Sequence, residues 1–290
     1  MEIHLVDGTY ELFRHYFAVP SHKTSEGIEV AATRGVLGTL VRLLEDGATH
    51  IGVATDHVVE SFRNDLFDGY KTGEGTPPEI MSQFPLVEAL IEAAGFITFP
   101  MIEFEADDAL ASAARIAKED STVNRILICS PDKDLAQCVT DDGRVVQFDR
   151  RQEIIYDAAG VRKKFGVSPS SIPDFLALVG DSADGIPGLP GWGAKSSSLI
   201  LDRYGTIEEI PLDPNKWDVS VRGAGKLAET LSQNFNEAQL YKNLTILRED
   251  VPVMSNVSEL EWVSPKEHFT QLCDRLDASK LAERLKNFSR

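Results

Sequence analysis

Phe104-Glu105-Ala106-Asp107-Asp108 opens an apolar helical run and follows the strand-like segment 96–100. Its three acids fall at positions i, i+2 and i+3, so they cannot share one stripe of a helix. At a strand-to-helix junction, however, they can converge on one edge of a sheet. Acids at a helix N-terminus are also favoured by the helix macrodipole alone. The stretch therefore predicts a strand followed by a helix, and it leaves open whether its acids bind a ligand.

Other short apolar runs also precede acids. Asp7 follows the run 3–6, Asp56 follows 51–54, and Asp132 and Asp134 come shortly after 125–129. Such runs, alternating with helical patterns at 31–45, 79–94 and 105–118, predict a doubly wound, mainly parallel α/β sheet. Sites in these sheets lie outside the carboxyl ends of the strands. Each acid taken alone is either a turn former or a ligand.

Residues 58–85 differ from the segments around them. Phe62-Arg63 and Tyr70-Lys71 interleave aromatic and basic side chains, and the Gly- and Pro-rich run 72–78 follows. This pattern predicts an excursion outside the core, either a lid over a substrate or a plain surface loop. Residues 143–148 and 153–156 predict an edge hairpin.

The strand signal fades after residue 156. Helical patterns at 157–165, 169–179, 226–234 and 237–247 surround the block Gly180 to Lys195, which carries Asp181 and Asp184 and then a Gly-rich turn. This turn enters a helix at 196–204 and is suited to a phosphate, although it lacks the spacing of a P-loop. A helix–hairpin–helix that grips nucleic-acid backbone fits better. Residues 251–290 end in an amphipathic helical pattern, for which packing against the core is the default expectation.

Composition sets further bounds. The 290 residues suffice for one large or two modest domains, and 42% hydrophobic with 26% charged residues is ordinary for a soluble protein. The net charge of −17 opposes a generally basic nucleic-acid coat but allows a local basic surface. No apolar run is long enough to span a membrane, residues 1–7 do not form a signal peptide, and three cysteines lack paired spacing. We therefore expect a cytoplasmic protein without a membrane partner.

The carboxylates predict metal chemistry. Nine of them lie at predicted strand ends or loops: Asp7, Asp56, Glu105, Asp107, Asp108, Asp132, Asp134, Asp181 and Asp184. Converging carboxylates repel one another unless cations neutralise them. Oxygen ligands without His or Cys favour Mg²⁺ or Mn²⁺. Two such ions about 4 Å apart would serve phosphodiester hydrolysis.

The chain resembles the 5′-nuclease family, which includes the 5′-to-3′ exonuclease domain of bacterial DNA polymerase I, phage 5′-exonucleases and flap endonucleases. The matching motifs occur in the same order over roughly residues 1–250. They are Leu5-Val6-Asp7-Gly8, Phe62-Arg63 with Tyr70-Lys71, Glu105-Ala106-Asp107-Asp108, Asp132-Lys133-Asp134, Gly180 to Gly188, and Gly191-Trp192-Gly193-Ala194-Lys195. Together these motifs are highly specific, although none would be alone.

This resemblance implies a PIN-like nuclease core at 1–156 with a helical arch at about 58–85. It further implies a helix–three-turn–helix DNA-binding subdomain at 157–250 and leaves 251–290 as a helical extension. The implied activity is metal-dependent hydrolysis of DNA near a junction of duplex and 5′ single strand. The substrate would be DNA with a 5′ flap, a nick or a 5′ end, with RNA–DNA hybrid as a further candidate. No polymerase region follows, so we expect a standalone, monomeric, bacterial-type nuclease associated with the nucleoid.

Site roles also follow from the resemblance. Asp7, Asp56, Glu105 and Asp107 would serve mainly one Mg²⁺ or Mn²⁺, and Asp132, Asp134, Asp181 and Asp184 mainly the second, with some sharing and with Asp108 completing the set. Lys71 matches the arch lysine that contacts the scissile phosphate, while Arg63 and Arg14 match basic positions near the substrate path. The hairpin 188–195 matches the element that grips duplex backbone through Gly188, Gly191, Gly193 and Lys195, with K⁺ as a candidate ion.

The sequence departs from the family at three positions. Glu74 stands where the family usually has an arginine three positions after the arch lysine, Pro131 replaces a glycine, and Thr55 replaces a phenylalanine. An acid at position 74 would repel substrate phosphates, which puts the rate and the threading of a flap in question. Three other functions compete with the nuclease: a non-catalytic junction-binding protein on the same scaffold, a PIN-type ribonuclease, and a metal-dependent phosphomonoesterase.

Overall fold

The computed structural model describes residues 1–289, and its contacts divide these into two units. Unit 1 comprises Met1–Ser61, Gly73–Ser130 and the chain from Arg248 onward, and unit 2 comprises Phe62–Thr72 and Pro131–Leu247. This grouping differs from the domain boundaries expected at residues 156 and 250, which stay predictions. No helix among residues 1–289 is both long and apolar enough to cross a membrane.

Unit 1 is built on four parallel strands. These are β1 (Glu2–Asp7), β2 (His50–Asp56), β3 (Ile97–Met101) and β4 (Arg125–Cys129), in the order β3-β2-β1-β4. β1 pairs with both β2 and β4, so the chain order reverses beside β1. Ligands of open α/β sheets bind at such reversals, outside the carboxyl ends of the strands. The predicted mainly parallel, doubly wound sheet is confirmed.

The helices of unit 1 bury the apolar faces that the sequence pattern indicated. They are α1 (Gly8–Ala18), α2 (Ala31–Glu45), α4 (Pro78–Met81), α5 (Phe84–Ala93), α6 (Ala106–Glu119), α12 (Phe269–Arg275) and α13 (Ser279–Lys286). In α2 the side chains of Val36, Leu37, Leu40 and Val41 are fully buried. α6 begins at a capping box in which the backbone N–H of Glu105 donates to the side chain of Asp108.

The helix expected over 79–94 is wrong as a single element. The structure has two helices there, α4 and α5, which Ser82 and Gln83 separate. Pro85 stands in the first turn of α5, where its missing N–H is tolerated, but it cannot donate a hydrogen bond back into a continuing helix. The buried Gln83 side chain accepts hydrogen bonds from the N–H and hydroxyl of Thr33, so the break is also tied to α2.

The segment 58–85 is more buried than expected. Ile80 and Phe84 are core residues of unit 1, while Arg63 and Tyr70 are buried in unit 2. The expectation that these residues lie outside the core is therefore wrong for these four positions. The interleaved aromatic and basic pattern does not distinguish an exposed lid from side chains that anchor a segment.

The C-terminal region packs into unit 1. Trp262 is buried and its indole N–H donates to the carbonyl of Ala94 at 2.9 Å. Gly95 has φ +85°, and a Cβ on it would lie 2.2 Å from the carbonyl oxygen of Ser264, so only glycine fits there. The expected packing role of residues 251–289 is thus observed. The amphipathic run is divided into α12 and α13 near Asp277, which has φ 53°.

Unit 2 is mostly helical. It contains α3 (Phe62–Leu66), the antiparallel hairpin of β5 (Val145–Asp149) and β6 (Ile154–Tyr156), and five longer helices: α7 (Ala158–Phe165), α8 (Ile172–Val179), α9 (Ala194–Tyr204), α10 (Ala224–Gln233) and α11 (Phe235–Thr245). Leu176, Trp192, Ile200 and Leu231 lie in its core. The predicted hairpin and helices are confirmed, with shifts of a few residues at their ends.

Candidate active site

Asp7 lies at the carboxyl end of β1 and caps α1. One carboxylate oxygen accepts the backbone N–H of Tyr10 at 2.8 Å, and the other accepts the hydroxyl of Ser130 at 2.8 Å. Ser130 directly follows β4, the strand that pairs with β1. The side chain of Asp7 is thereby fixed at the edge of the sheet where the chain order reverses.

Asp56 lies at the carboxyl end of β2, the other neighbour of β1. Its carboxylate accepts the N–H of Ala106 at 2.7 Å, and its own N–H donates to the hydroxyl of Thr9 at 2.8 Å. These bonds join the end of β2 to the first turns of α1 and α6. As the sequence predicted, the acids of unit 1 gather at one edge of the parallel sheet.

The acids at the start of α6 have different surroundings. Glu105 is buried and accepts the hydroxyl of Ser61 at 2.7 Å. Asp107 is half-buried in the first turn. Asp108 is fully buried, and its two oxygens accept the backbone N–H groups of Glu105 at 3.0 Å and of Arg248 at 2.8 Å. Asp108 therefore has an evident structural task, while its predicted metal role stays a prediction.

Unit 2 contains a compact acidic cluster. Carboxylate oxygens of Asp134, Asp181 and Asp184 all lie within 4.8 Å of one another, and the three side chains are buried. Asp134 begins a 3₁₀ turn that ends at Cys138. Asp181 and Asp184 belong to a turn closed by two backbone hydrogen bonds between Asp181 and Ile186, each 2.8 Å long. The structure thus brings together three of the four acids that were predicted for the second ion.

The electrostatics of this cluster fit a cation. Burial raises the pKa of Asp134 well above its ordinary value, and the charges of Asp132, Asp184 and Asp181 raise it further, while Lys71 opposes the shift. Asp134 Oδ1 is buried without a hydrogen-bond partner in the described chain. A buried acceptor without a partner is unusual, and a bound ion is one explanation of it. Because the donors are all carboxylate oxygens, the cluster suits a hard divalent cation such as Mg²⁺ or Mn²⁺.

Two lysines contact the cluster. Lys71 Nζ lies 2.9 Å from Asp184 Oδ1, and Lys133 Nζ lies 2.7 Å from Asp181 Oδ2. Both ammonium groups offset part of the negative charge. Asp132 is exposed; its carboxylate accepts the N–H of Asp134 at 3.2 Å, and its carbonyl accepts the side-chain amide of Gln147.

The two predicted arginines engage protein groups. Arg63 is only 1% exposed, and its guanidinium donates to the carbonyls of Leu244 and Ile246. Arg14 is half-buried and pairs with the buried Glu11. Their predicted places near the substrate path stay predictions. Thr55 is fully buried and donates to Glu88 at 2.8 Å, whereas Glu74 is exposed.

The hairpin 188–195 exposes backbone at the start of α9. Gly191 has φ +86° with open space around it, and Gly193 is the N-cap of α9. Trp192 is buried and donates to the carbonyl of Leu227 at 3.2 Å, which anchors the turn from within. Lys195 is exposed in the first turn of α9. An exposed helix N-terminus with a neighbouring lysine is suited to a phosphate.

Position 188 requires glycine because of its positive φ and its close contact with the backbone of Gly180. Gly188 has φ +70°, and a Cβ on it would lie 2.5 Å from the backbone nitrogen of Gly180. The turn that carries Asp181 and Asp184 therefore packs directly against the start of the hairpin.

Several residues that position the acids could not be recognised from a sequence pattern. The hydroxyls of Ser61, Ser130 and Thr9 contact acids or their backbone, and Gln147 contacts the loop of Asp132. Ser130 could have been suspected because it stands between a buried strand and the Asp132 motif. The contacts of the other three join residues that are 15 to 47 positions apart, so only the folded structure reveals them.

Two family models match this chain. The model of the 5′-3′ exonuclease N-terminal resolvase-like domain matches residues 2–166, and that of the 5′-3′ exonuclease C-terminal SAM fold matches residues 167–268. A 5′-3′ exonuclease from Aquifex aeolicus (strain VF5) is 32% identical over 246 residues, which are 84% of this chain and 83% of that protein.

The DNA polymerase I relatives are longer proteins. That of Bacillus subtilis (strain 168) is 32% identical over 286 residues, which cover 97% of this chain and 32% of the relative. That of Bacillus caldotenax is 33% identical over 265 residues, which cover 89% of this chain and 29% of the relative. The chain thus spans about a third of the length of these relatives.

Solved structures share the fold. The bacteriophage T5 flap endonuclease in a complex with DNA and metal ions superposes with a TM-score of 0.64 at 20% identity, covering 99% of each chain. The catalytic core of Rad2 with a DNA substrate gives a TM-score of 0.62 at 16% identity, covering 97% of this chain and 90% of the other. At these identities the similarity establishes the fold.

Proposed function

Because this chain belongs to the 5′-3′ exonuclease family, we propose that it hydrolyses DNA phosphodiesters near a junction of duplex and 5′ single strand. The observation that carries the proposal is the buried cluster of Asp134, Asp181 and Asp184, in which Asp134 Oδ1 has no hydrogen-bond partner among residues 1–289. Such a cluster is electrostatically costly without a cation and suits phosphoryl chemistry with one. The exposed hairpin 188–195 in the same unit supplies a surface for DNA backbone.

Two divalent ions are part of the proposal. Asp7, Asp56, Glu105 and Asp107 would hold one, with Asp108 supporting them, and Asp132, Asp134, Asp181 and Asp184 would hold the other. When bound, Mg²⁺ or Mn²⁺ would supply Lewis-acid polarisation of the phosphodiester and a water of lowered pKa. The all-oxygen donor set supports Mg²⁺ or Mn²⁺ as the ions.

The protein side chains would orient the substrate. Lys71, whose ammonium pairs with Asp184 in this structure, would offer that ammonium to the phosphate that is cut. Lys195 and the N–H groups at Gly193 would bind duplex backbone without reading bases, and a K⁺ ion held by hairpin carbonyls is a further element of this proposal. Arg63 and Arg14 were predicted near the path of the substrate, and both contact protein groups in this structure.

The proposed substrate also indicates the process and the cell compartment in which the enzyme would act. DNA with a 5′ flap, a nick or a 5′ end arises during replication and repair, so we propose a cytoplasmic, nucleoid-associated enzyme of the bacterial type that acts as a monomer. RNA–DNA hybrid is a second candidate substrate, because the hairpin contacts backbone and not bases.

The test is cleavage of a 5′-labelled flap duplex in Mg²⁺, with an EDTA control and a matched single strand. We expect metal-dependent cutting at the junction. Asp107→Ala and Asp132→Ala should abolish cleavage while some DNA binding is kept, because each removes one carboxylate ligand and leaves the hairpin intact. Unchanged turnover in both variants would contradict the metal assignment.

The same experiment separates the competing functions. Binding of the flap without cutting, after Mn²⁺ has also been tried, would favour a non-catalytic junction-binding protein. Cutting confined to a single-stranded RNA oligonucleotide would favour a PIN-type ribonuclease. Release of a terminal phosphate alone would favour a phosphomonoesterase.

A further inference from the structure

Arg63 is an almost fully buried arginine in the segment Phe62–Thr72, which we call the arm. Its Nε donates to the carbonyl of Leu244 at 2.8 Å, its Nη2 donates to that of Ile246 at 3.1 Å, and its guanidinium carbon lies 4.6 Å from the ring centroid of Phe62. Burying a guanidinium is costly unless its donors find partners. Position 63 therefore requires a side chain whose donors can reach these two carbonyls.

The partners of Arg63 lie at the C-terminal end of α11. The last carbonyls of a helix have no partner within the helix, and a cation there also complements the macrodipole. Gln137 binds the same place: its amide donates to the carbonyl of Thr245 at 2.9 Å, and its carbonyl accepts the N–H of Leu247 at 3.1 Å. Arg63 thus caps a helix end that is firmly attached to the rest of unit 2.

The arm forms a closed structure between Arg63 and Lys71. The N–H of Phe67 donates to the carbonyl of Arg63, the N–H of Tyr70 donates to that of Phe67, and the side-chain amide of Asn64 donates to that of Lys71 at 2.9 Å. Tyr70 is buried in a small cluster with Leu244, whose carbonyl Arg63 binds. A displacement of Arg63 would therefore also displace Lys71, because these hydrogen bonds connect the two residues within the arm.

The arm ends against the turn that carries Asp184. The backbone N–H of Lys71 donates to the carbonyl of Asp184 at 3.0 Å, and its ammonium contacts the carboxylate of the same residue at 2.9 Å. Gly185 has φ +75°, and a Cβ on it would lie 2.1 Å from the carbonyl oxygen of Gly69. The close approach of the two segments fixes the backbone of Lys71 against the turn of Asp184, and the ion pair holds the Lys71 ammonium beside that carboxylate.

From these contacts we propose that Arg63 is a positioning residue for Lys71 and not a substrate contact. It caps α11 and so holds the arm in the conformation that places the Lys71 ammonium beside Asp184. This inference deepens the proposed function, on which it rests for the catalytic importance of Lys71. It also explains why arginine stands at a position that a lysine could not fill equally. A guanidinium can donate to two carbonyls from separate nitrogens in a fixed plane, whereas all three donors of an ammonium lie on one rotating nitrogen.

The first test needs no activity. Hydrogen exchange of the arm amides is measured for the wild type, Arg63→Gln and a matched control, Arg203→Gln, which removes an exposed arginine of the same unit that is paired with Asp218. We expect the amide of Lys71 to exchange at least about tenfold faster in Arg63→Gln. Arg203→Gln should leave it unchanged. Unchanged exchange in Arg63→Gln would overturn the proposal, even if that variant cleaves poorly.

The second test asks whether Arg63 acts through Lys71. Flap cleavage is compared for Arg63→Gln, Lys71→Ala and the double variant, with Arg63→Lys as the conservative replacement. We expect the double variant to be no worse than Lys71→Ala, because groups that act as a unit are not additive. Arg63→Lys should recover part of the lost rate. Additive losses would show that Arg63 has a separate task and would overturn the proposal.

The two tests separate this proposal from the proposed function. If the wild type cuts no flap substrate, the exchange of the arm amides still decides whether Arg63 holds the arm. If the wild type cuts and the arm amides respond only weakly, the nuclease assignment stands and the positioning role fails.

Discussion

Carboxylates of similar chemical type have distinct contacts in this protein. Both oxygens of Asp108 accept backbone N–H groups, so this side chain joins the start of α6 to Arg248. Asp134 has one oxygen with no partner in the described chain and lies beside two other buried acids. The hydrogen bonds of Asp108 stabilise the protein by themselves. The clustered acids around Asp134, in contrast, destabilise the folded protein until a cation binds to them. Residue type alone does not distinguish them.

Asp134→Asn should therefore affect stability and activity in opposite directions. Without metal, and at a pH high enough to ionise Asp134, the neutral amide relieves repulsion from Asp181 and Asp184, and we expect the free energy of unfolding to rise by about 1 kcal/mol. With Mg²⁺, cleavage should fall by about a hundredfold or more, because a ligand is lost. Metal-free denaturant unfolding and flap cleavage measure the two effects. Asp141→Asn, at an exposed acid of the same unit, is the control. A metal-free loss of stability would contradict the electrostatic argument.

Glu74 is the second residue at which we expect a substitution to change the activity. It is exposed in a segment where the family usually carries an arginine. Glu74→Arg replaces repulsion of substrate phosphates by attraction, so kcat/KM on a flap substrate should rise about three- to tenfold at low salt. The gain should shrink as salt screens the charges. Glu283→Arg, an equal charge change in α13, should have little effect. A loss of activity in Glu74→Arg would show that the acid has a task of its own.

At the scale of elements, strand ends and helix starts carry the chemistry. Asp7 and Asp56 lie at the ends of parallel strands, at one edge of the sheet, and Glu105 is the N-cap residue of α6. In unit 2 two turns carry Asp134, Asp181 and Asp184. The hairpin before α9 contributes exposed backbone in place of carboxylates.

Lys195→Ala tests the hairpin as a backbone-binding element. We expect weaker binding to all duplex sequences alike, because the lysine would contact phosphate and not bases. The slope of log K against log salt should become shallower by about one. Fluorescence anisotropy over a range of salt, with several duplexes and with Lys216→Ala as control, provides the measurement. A loss confined to some sequences would contradict backbone binding.

At the scale of the whole molecule, the order of segments along the chain differs from their grouping into the two units. The chain leaves unit 1 after Ser61, contributes the arm to unit 2, returns at Gly73, and comes back once more at Arg248. Residues from Arg248 onward thus complete a unit whose strands lie in the first half of the chain. The C-terminal region is a structural part of unit 1 and not an appendage to it.

Trp262→Ala should reveal this dependence. The residue is buried, contacts the ring of Phe96 and donates to the carbonyl of Ala94. We expect the free energy of unfolding to fall by about 3–5 kcal/mol, as for other large buried side chains. Val263→Ala, at the neighbouring and 47% exposed position, should change it little. Urea unfolding followed by circular dichroism gives both values. A loss below about 1 kcal/mol for Trp262→Ala would mean that the region folds apart from unit 1.

The sequence by itself determined the family and the fold class, because the order of motifs from Asp7 to Lys195 is highly specific. Short continuous apolar runs indicate the buried strands, and apolar patterns of period 3.6 indicate the helices. The sequence also placed acids at strand ends. It could not show that Pro85 follows a break between α4 and α5, or that Tyr70 and Ile80 are buried in a segment that was expected to lie outside the core. Local pattern does not record which distant surface a side chain will meet.

Only the tertiary structure decided the individual roles. It showed that Arg63 caps α11, that Asp108 binds the N–H of Arg248, and that Ser130 fixes Asp7. Each contact joins residues more than a hundred positions apart. The free energy of a hydrogen bond depends on geometry and burial, and neither exists until the chain has folded. The sequence therefore supplied the chemical groups and their local structure, while the fold assigned each group its partner.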